Sequence, residues 1–290
     1  DTTYLEVAGV KLHTVLTTPS AQSSAPLAII IAGSGPTDLN GNNTMMTNNS
    51  LKYLSEELIA NNIATLRFDK RGIAKSAYQN MDEAEFTIDR FYVDVEALIE
   101  FGKSKGYKEI FVIGHSEGSL LGIMALQKQK ANGFISLAGI GCPADEILIK
   151  QVKPQLPPKL FDQTVSILDS LKAGYTVKNV PNDLMALFRP SIQPYMISWL
   201  KLDPTVMIKN INCPALIVNG TNDIQVGTEE ADKLSKAAPG SEKLIIKNMN
   251  HILKTVKGGF QANYATYSDP NLPVNKELVD GIVKFINSNK

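Results

Sequence analysis

Six runs of consecutive apolar residues, each ending in glycine or polar residues, alternate with segments whose apolar residues recur at helical spacing. The runs lie in PLAIIIAGSG, ATLRFDKRG, EIFVIGHS, GFISLAGIG, PALIVNGTND and EKLIIKNMNH. Strands that are apolar on both faces are typical of parallel sheets covered by helices. The alternation therefore predicts an α/β fold: a mostly parallel sheet flanked by helices and connected by right-handed crossovers.

Two segments depart from this alternation. The first, YLEVAGVKLHTVLTTP, alternates around Ala8 and Gly9 and predicts an antiparallel hairpin at the amino terminus. The second, residues 142–203, contains no strand-like run, and prolines recur between its short amphipathic segments. It predicts a helical cap over the carboxyl edge of the sheet, inserted into a core domain of residues 1–141 and 204–290.

The charge balance bears on partners and location. Lysine plus arginine number 29, as do aspartate plus glutamate, so no global field would draw the chain to nucleic acid or an anionic membrane. The longest apolar run is far shorter than the ~20 residues of a membrane helix. We therefore expect a soluble protein that acts on a small neutral molecule, with its oligomeric state open. Because the chain begins at Asp1, we expect either a removed export signal or trimming, which leaves cytoplasm and export both open.

Two cysteines, Cys142 and Cys213, are too few for a zinc cluster or a disulfide framework. The first lies just past the end of one predicted strand and the second at the start of the next parallel one. These positions are at opposite edges of the sheet, so we expect no bridge between them.

A candidate nucleophile lies in FVIGHSEGSLLGIMAL, where an apolar run gives way to a helical pattern around Ser116. In open α/β sheets, ligands bind where the strands end. A serine in a tight strand-to-helix turn needs small residues two before and two after it, and Gly114 and Gly118 meet that need. A plain turn between strand and helix also favours glycine and serine, so the motif alone is ambiguous.

A serine hydroxyl requires a base and a group that orients the base, and the chain contains three histidines. His13 lies in the predicted hairpin. His115 flanks the serine, where the turn should direct its side chain away from Ser116. His251 follows the last predicted strand and faces the same edge as Ser116, so it is the predicted base.

The acid should lie at a strand end between the serine and the histidine. Asp223 directly follows a buried-strand pattern in ALIVNGTNDIQV, and Asp145 is the second candidate. An aspartate after a strand can also simply close an Asx-turn. The order Ser116, Asp223, His251 is the order of the α/β-hydrolases.

Over nearly its whole length the chain resembles the serine esterases of the α/β-hydrolase superfamily. Ser116, Asp223 and His251 match the nucleophile, acid and base positions of that family. The segment RFDKRGIAKS is similar to the family's Asp-x-Arg-Gly-x-Gly-x-Ser segment, with Ala74 at the second glycine, a departure that we interpret as structural.

The segment GSGPTDLNGN resembles the Gly-Ser-Gly-Pro-x-Asp-Arg-Asp-Gly loop of bacterial esterases, and Leu39 and Asn40 replace its Arg-Asp pair. The resemblance implies that the Ser34 amide donates to the oxyanion of acyl transfer. Gly33 and Gly35 would let the backbone approach a substrate closely. A simple tight turn is the alternative for this loop.

The second oxyanion donor is the amide of Glu117, next to the nucleophile at the start of a helix. The Glu117 side chain has two interpretations: an ordinary acid in a first turn, or a group that binds a substrate amine or pairs with Arg71. Dinucleotide and phosphate loops are excluded, because GSGPTDLNG lacks their glycine and lysine patterns and Pro36 removes an amide.

The sequence thus predicts a hydrolase of short acyl or aryl carboxylic esters that needs no metal and no cofactor. His251 would deprotonate Ser116 while Asp223 orients the imidazole. A thioesterase or a peptidase of the prolyl-aminopeptidase kind could use the same residues, and Glu117 is the candidate anchor for a peptide amine. An α/β-hydrolase fold that only binds is the third hypothesis.

Overall fold

The computed structural model describes residues 1–20 and 24–290 of the chain. Its strands are β1 (Thr2–Val7), β2 (Val10–Thr17), β3 (Leu27–Ile31), β4 (Ala64–Phe68), β5 (Ile110–His115), β6 (Gly133–Leu137), β7 (Ala215–Gly220) and β8 (Glu242–Ile246). They form one sheet in the order β1-β2-β4-β3-β5-β6-β7-β8. The pairs β1–β2 and β2–β4 are antiparallel and all other neighbours are parallel, which confirms the predicted fold class.

Helices surround this sheet. They are α1 (Ser50–Ala60), α2 (Ile88–Ser104), α3 (Glu117–Leu126), α4 (Ala144–Val152), α5 (Pro158–Lys172), α6 (Met185–Phe188), α7 (Gln193–Leu200), α8 (Pro204–Met207), α9 (Thr228–Ala237), α10 (Phe260–Ala265) and α11 (Lys276–Ser288). Short 3₁₀ helices lie at Ala74–Ser76, Glu83–Glu85, Asn182–Leu184, Pro190–Ile192, Ile208–Asn210 and Thr266–Ser268. Of the helices in the described ranges, none is long and apolar enough to cross a membrane.

The parallel strands β3 to β7 are buried along their whole length, which explains why their sequences are continuous apolar runs. The edge strand β8 is fully buried only at Ile246. In β3, Leu27, Ile29 and Ile31 pack on the side of α2 and α3, whereas Ala28 and Ile30 pack on the side of α1 and α11. Full burial of a large aliphatic side chain stabilises a fold by about 1.5–3 kcal/mol. The sheet is therefore the middle of three layers.

The amino-terminal hairpin turns at Ala8 and Gly9, which have φ angles of 48° and 79°. Two successive positive φ angles are typical of the two-residue hairpin turn that matches the twist of the strands. The turn pairs Val7 with Val10, and β2 then continues the sheet through its pairing with β4. The predicted hairpin is confirmed.

Residues 142–203 contain α4 to α7. Leu168, Phe188 and Trp199 of this segment are buried in the same apolar cluster as α2 and α3. Gln193 is fully buried and connects two parts of the segment, because its side chain exchanges hydrogen bonds with the backbone of Val177. The division into a core and a cap stays a prediction.

Candidate active site

Ser116 lies in the turn between β5 and α3 with φ 55° and ψ −119°. A Cβ atom on Gly114 would lie 2.2 Å from the Gly118 carbonyl oxygen, and one on Gly118 would lie 2.5 Å from the Ile31 carbonyl oxygen. The Ser116 amide donates to the carbonyl of Leu137 at 2.8 Å. The two glycines therefore let strand and helix close around a serine held in a strained backbone conformation.

His251 and Asp223 form a buried pair at the carboxyl ends of β8 and β7. The Nδ1 atom of His251 donates to Oδ2 of Asp223 at 2.8 Å, and Oδ1 accepts the amides of Gln225 and Val226, each at 2.8 Å. Asp223 thus closes an Asx-turn and holds the imidazole at the same time. In the tautomer that carries the proton on Nδ1, Nε2 is the acceptor nitrogen of the imidazole.

The loop that carries His251 is fixed by the preceding residue. Asn250 is 1% exposed, and its Nδ2 donates to Oδ1 of Asn263 at 3.0 Å and to Oγ1 of Thr266 at 2.8 Å. Asn263 in turn donates to the Asn222 carbonyl, next to the acid. Sequence reasoning missed this network. The available signal was Asn250 itself, a polar residue next to the candidate base.

Ser116, His251, Gly33 and Ser34 line one cavity of about 780 Å³. Within residues 1–20 and 24–290, the Ser116 hydroxyl makes no hydrogen bond to His251. Catalytic hydrogen bonds are often long without substrate and shorten in the complex. The structure thus brings the predicted nucleophile, base and glycine loop to the same space.

The rest of the cavity lining is mainly aromatic, amide-bearing, hydroxylic and aliphatic. It includes Phe260, Tyr264 and Tyr267 on one segment, and Gln151 and Gln155 on and just after α4. Among the described residues that line it there is no carboxylate, and Lys150 is the one lysine or arginine. No group of three or more His, Cys, Asp or Glu in the described ranges is arranged to hold a metal ion.

The glycine loop lies directly against the nucleophile. A Cβ atom on Gly33 would be 3.1 Å from Cβ of Ser116, and Gly35 has φ +71°, a conformation that favours glycine. Ser34 follows Gly33, and Glu117 begins α3, where the helix dipole favours an anion. The assignment of these two amides to an oxyanion hole stays a prediction.

The Glu117 carboxylate is buried and contacts two side chains that sequence reasoning did not identify. Its Oε1 lies 3.4 Å from Nζ of Lys70, and its Oε2 accepts the hydroxyl of Tyr195 in α7. Burial, together with this carboxylate, raises the pKa of Tyr195 well above its usual value. Lys70 also donates to the Gly33 carbonyl. The carboxylate therefore does not line the cavity and is already paired.

Two sequence-based alternatives are corrected. Arg71 does not pair with Glu117; its Nε lies 3.1 Å from Oδ2 of Asp94 and its Nη2 lies 2.5 Å from Oδ1. Lys70, and not Arg71, reaches Glu117 from the turn that follows β4. Asp145, the second candidate acid, lies in the first turn of α4 and binds Lys172 at 2.6 Å instead of the base.

His115 lines the cavity, although the sequence indicated that its side chain would turn away. Its Nε2 donates to the His251 carbonyl at 2.7 Å, and the two imidazole rings lie 4.8 Å apart. Burial, with a smaller contribution from His251, lowers the pKa of His115 to about 3. A neutral His115 thus supports the loop of the candidate base.

The residues that depart from the family pattern have structural roles. The Leu39 amide donates to Oδ1 of Asp69 at 2.9 Å, and Oδ1 of Asn40 accepts from Nη1 of Arg67 at 2.7 Å. Ala74 adopts φ 46°, a left-handed conformation that glycine adopts more readily.

Comparisons with known proteins bear on the fold and the family of the chain. Esterase EstD of Thermotoga maritima is 25% identical over 279 residues, which are 93% of this chain and 64% of that protein, so the chain spans less than two thirds of its length. Est1E from Butyrivibrio proteoclasticus, solved with ferulic acid, has a TM-score of 0.65 at 19% identity and covers 99% of this chain and 98% of its own. A proline iminopeptidase of Mycobacterium smegmatis has a TM-score of 0.64 at 13% identity, with 100% and 98% covered. These structures share the fold.

A family model settles the membership of the chain. The family described as serine aminopeptidase, S33, matches residues 46–253, well over half of the chain. The matched range contains Ser116, Asp223 and His251. The chain therefore belongs to the serine aminopeptidase S33 family of α/β-hydrolases.

Proposed function

We propose that the protein is a serine hydrolase that cleaves carboxylic esters through an acyl-enzyme on Ser116. The observation that carries this proposal is the lining of the cavity at Ser116 and His251, which includes no carboxylate among the described residues. Such a cavity suits a neutral ester better than a cationic amine. The esterase name of the relative from Thermotoga maritima gives further support.

In the first half of the reaction, Nε2 of His251 accepts the proton of Ser116 as the serine oxygen attacks the ester carbonyl. Asp223 stabilises the resulting imidazolium through the hydrogen bond at Nδ1. The carbonyl oxygen becomes an anion, and the amides of Ser34 and Glu117 donate to it. His251 then gives its proton to the leaving alcohol.

In the second half, a water molecule replaces the alcohol. His251 removes a proton from the water, which attacks the acyl-enzyme carbonyl and forms a second oxyanion in the same place. Collapse of this intermediate returns the proton to Ser116 and releases the acid. The same pair, His251 and Asp223, thus serves both steps.

The aromatic segment of the cavity supports short acyl or aryl esters as substrates. Phe260 and Tyr264 are 68% and 54% exposed, and their rings stack at 6.2 Å with an interplanar angle of 13°. Tyr264 and Tyr267 stack at 6.0 Å. Exposed flat rings at a cavity offer a stacking surface for a planar or apolar group of the substrate.

An aminopeptidase is the second candidate, because the family is described as serine aminopeptidase. A peptidase that binds a free amino terminus needs an anion for the substrate ammonium. Glu117 was the candidate, and its carboxylate is taken up by Lys70 and Tyr195. This contact favours the ester hydrolase.

The test is a rate profile on p-nitrophenyl esters from acetate to palmitate, for the wild type and for Ser116→Ala. We expect the highest rates on short chains and a loss on the order of 10⁵-fold or more in the variant, because the nucleophile is absent. A circular dichroism melt of both proteins controls for folding. Retention of more than a few per cent of the rate would contradict the proposal, and faster turnover of aminoacyl-naphthylamides than of esters would favour the aminopeptidase.

A further inference from the structure

Lys70 is a buried lysine beside the candidate site that the mechanism above does not use. It lies two residues after the end of β4, and its side chain is 3% exposed. Its Nζ donates to the carbonyl of Gly33, lies 3.4 Å from Oε1 of Glu117 and sits 5.7 Å from the centroid of the Phe91 ring. Buried lysines are rare unless they are paired, so this placement requires an explanation.

The carbonyl that Lys70 contacts belongs to the peptide group that also carries the Ser34 N–H, the predicted oxyanion donor. The Gly33 carbonyl and the Ser34 N–H are two ends of one planar trans peptide and point in opposite directions. A cation at the oxygen draws electron density away from the nitrogen and makes the N–H a stronger donor. The effect is large in a buried site, where the effective dielectric constant is low.

We propose that Lys70 is a positioning residue of the oxyanion hole, which orients and polarises the Gly33–Ser34 peptide so that the Ser34 amide meets the developing oxyanion. This inference rests on the proposed acyl transfer at Ser116. Lys70 touches neither substrate nor nucleophile in this mechanism, and it acts through the peptide. Its contribution grows as negative charge develops on the substrate oxygen, so it favours the transition state over the bound ester.

Glu117 and Tyr195 fix the position of the lysine. The Glu117 carboxylate is the negative partner that allows the ammonium to stay buried, and the Tyr195 hydroxyl donates to its other oxygen. Tyr195 belongs to α7, and its ring contacts Phe91 edge-on with centroids 6.0 Å apart. A single polar chain therefore runs from α7 through Glu117 and Lys70 to the loop that holds the predicted oxyanion donor.

The experiment compares Lys70→Met with the wild type on p-nitrophenyl butyrate and on an alkyl trifluoromethyl ketone. The ketone forms a tetrahedral adduct with the nucleophile, and its oxyanion occupies the same hole as the transition state. We expect kcat to fall about tenfold, less than the 10²–10³-fold typical for the loss of a direct donor. The ketone should bind weaker by the same factor, while KM changes less than twofold. Lys70→Arg should recover part of kcat, because it keeps the charge.

The matched control is Lys254→Met, which removes another fully buried lysine. Its ammonium donates to the Leu272 carbonyl and does not line the cavity. We expect this variant to lower the melting temperature and to leave ketone affinity within twofold. If Lys70→Met fails to fold, the double variant Lys70→Met/Glu117→Gln leaves no unpaired buried charge and should show the same tenfold loss.

The outcomes separate the two proposals. A wild type that hydrolyses no ester overturns the proposed function. A wild type that hydrolyses esters, together with unchanged kcat and ketone affinity in the Lys70 variants, overturns only the role of Lys70. A rise in KM without a fall in kcat, or an equal loss of ketone affinity in Lys254→Met, also overturns it, since either would indicate a structural role.

Discussion

Two histidine–aspartate pairs of the same geometry lie in this molecule. In the pair at the cavity, Nδ1 of His251 is 2.8 Å from Oδ2 of Asp223, and in the hairpin Nδ1 of His13 is 2.8 Å from Oδ2 of Asp69. The two histidines are 4% and 5% exposed, so burial does not distinguish the pairs. Their surroundings do.

The hairpin pair also has a serine nearby, Ser76, but its hydroxyl already donates one hydrogen bond and accepts another. The Ser76 hydroxyl donates to the Asp69 carbonyl at 2.8 Å and accepts the His13 amide at 2.9 Å. These bonds join β2 to the turn after β4. At the cavity, by contrast, Ser116 and His251 line a space of about 780 Å³. The comparison teaches that room for a substrate beside the pair, and not the histidine–aspartate distance, distinguishes a candidate site.

Replacing each histidine by glutamine should separate the pairs most clearly. We expect His251→Gln to lower kcat on the order of 10⁵-fold, because the only proposed base is lost. His13→Gln should keep kcat within a fewfold of the wild type and reduce the free energy of unfolding by about 1–3 kcal/mol, since it leaves a buried carboxylate poorly paired. Steady-state kinetics and urea denaturation measure the two effects. Similar kinetic losses in both variants would remove the distinction.

Replacing each aspartate by asparagine should also lower kcat more at the cavity than at the hairpin, by a smaller factor than the histidine variants do. Asp223→Asn should lower kcat about 10⁴-fold, because an asparagine favours the wrong tautomer of His251. Asp69→Asn should act mainly on stability, since Asp69 also accepts the Leu39 amide at 2.9 Å. A kcat loss in Asp69→Asn as large as in Asp223→Asn would break the comparison.

The sequence was sufficient for the sheet, because its physical cause is local. A strand such as β3 is apolar throughout because both of its faces are buried. The hairpin turn at Ala8 and Gly9 is local as well. Ser116, Asp223 and His251 could be placed at one edge because parallel strands end on the same side of a sheet.

The polar contacts between elements could not be predicted in the same way. Lys70 and Tyr195 are far apart in the chain and both contact Glu117, and no periodicity in the sequence links them. Asn250 contacts Asn263 and Thr266 through the fold of a loop and not through a strand or helix pattern. The direction of a single side chain, such as the ring of His115, likewise depends on neighbours from other elements.

The third histidine, His115, should make the unfolding free energy depend on pH. Burial lowers the pKa of His115 to about 3, so its neutral form is the one that the fold accepts. In the unfolded chain, His115 takes up a proton near the usual histidine pKa of about 6.5. The stability that depends on neutral His115 is therefore intact above that pH and is lost progressively as pH falls toward 3. We expect His115 to account for a loss of about 2 kcal/mol in unfolding free energy between pH 7 and pH 5.

Urea denaturation of the wild type and His115→Gln at both pH values checks this. Glutamine keeps a donor for the His251 carbonyl and does not titrate, so the variant should lose less stability on acidification. His13→Gln serves as the control at the other pair. An equal acid-induced loss in the wild type and in His115→Gln would contradict the expectation.

The smallest effect is expected at the aromatic segment of the cavity. Phe260→Ala should raise KM for p-nitrophenyl and other aryl esters by about threefold to tenfold, since one stacked ring is worth about 0.5–1.5 kcal/mol beyond its buried area. The value of kcat should change little, because the ring makes no contact with the reacting atoms in the proposed mechanism. Tyr4→Ala, at an exposed ring of the hairpin, is the control. Equal KM values in both variants would argue against stacking.

The left-handed backbone of Ser116 has a consequence for how such proteins evolve. A non-glycine residue held in such a conformation destabilises a fold by about 1–3 kcal/mol, whereas glycine adopts it freely. A lineage released from selection for turnover would therefore gain stability through Ser116→Gly, a single change that would remove the proposed nucleophile. Inert binding proteins of this fold thus lie one favourable mutation away from the active ones, and a library selected for heat resistance alone should find that mutation early.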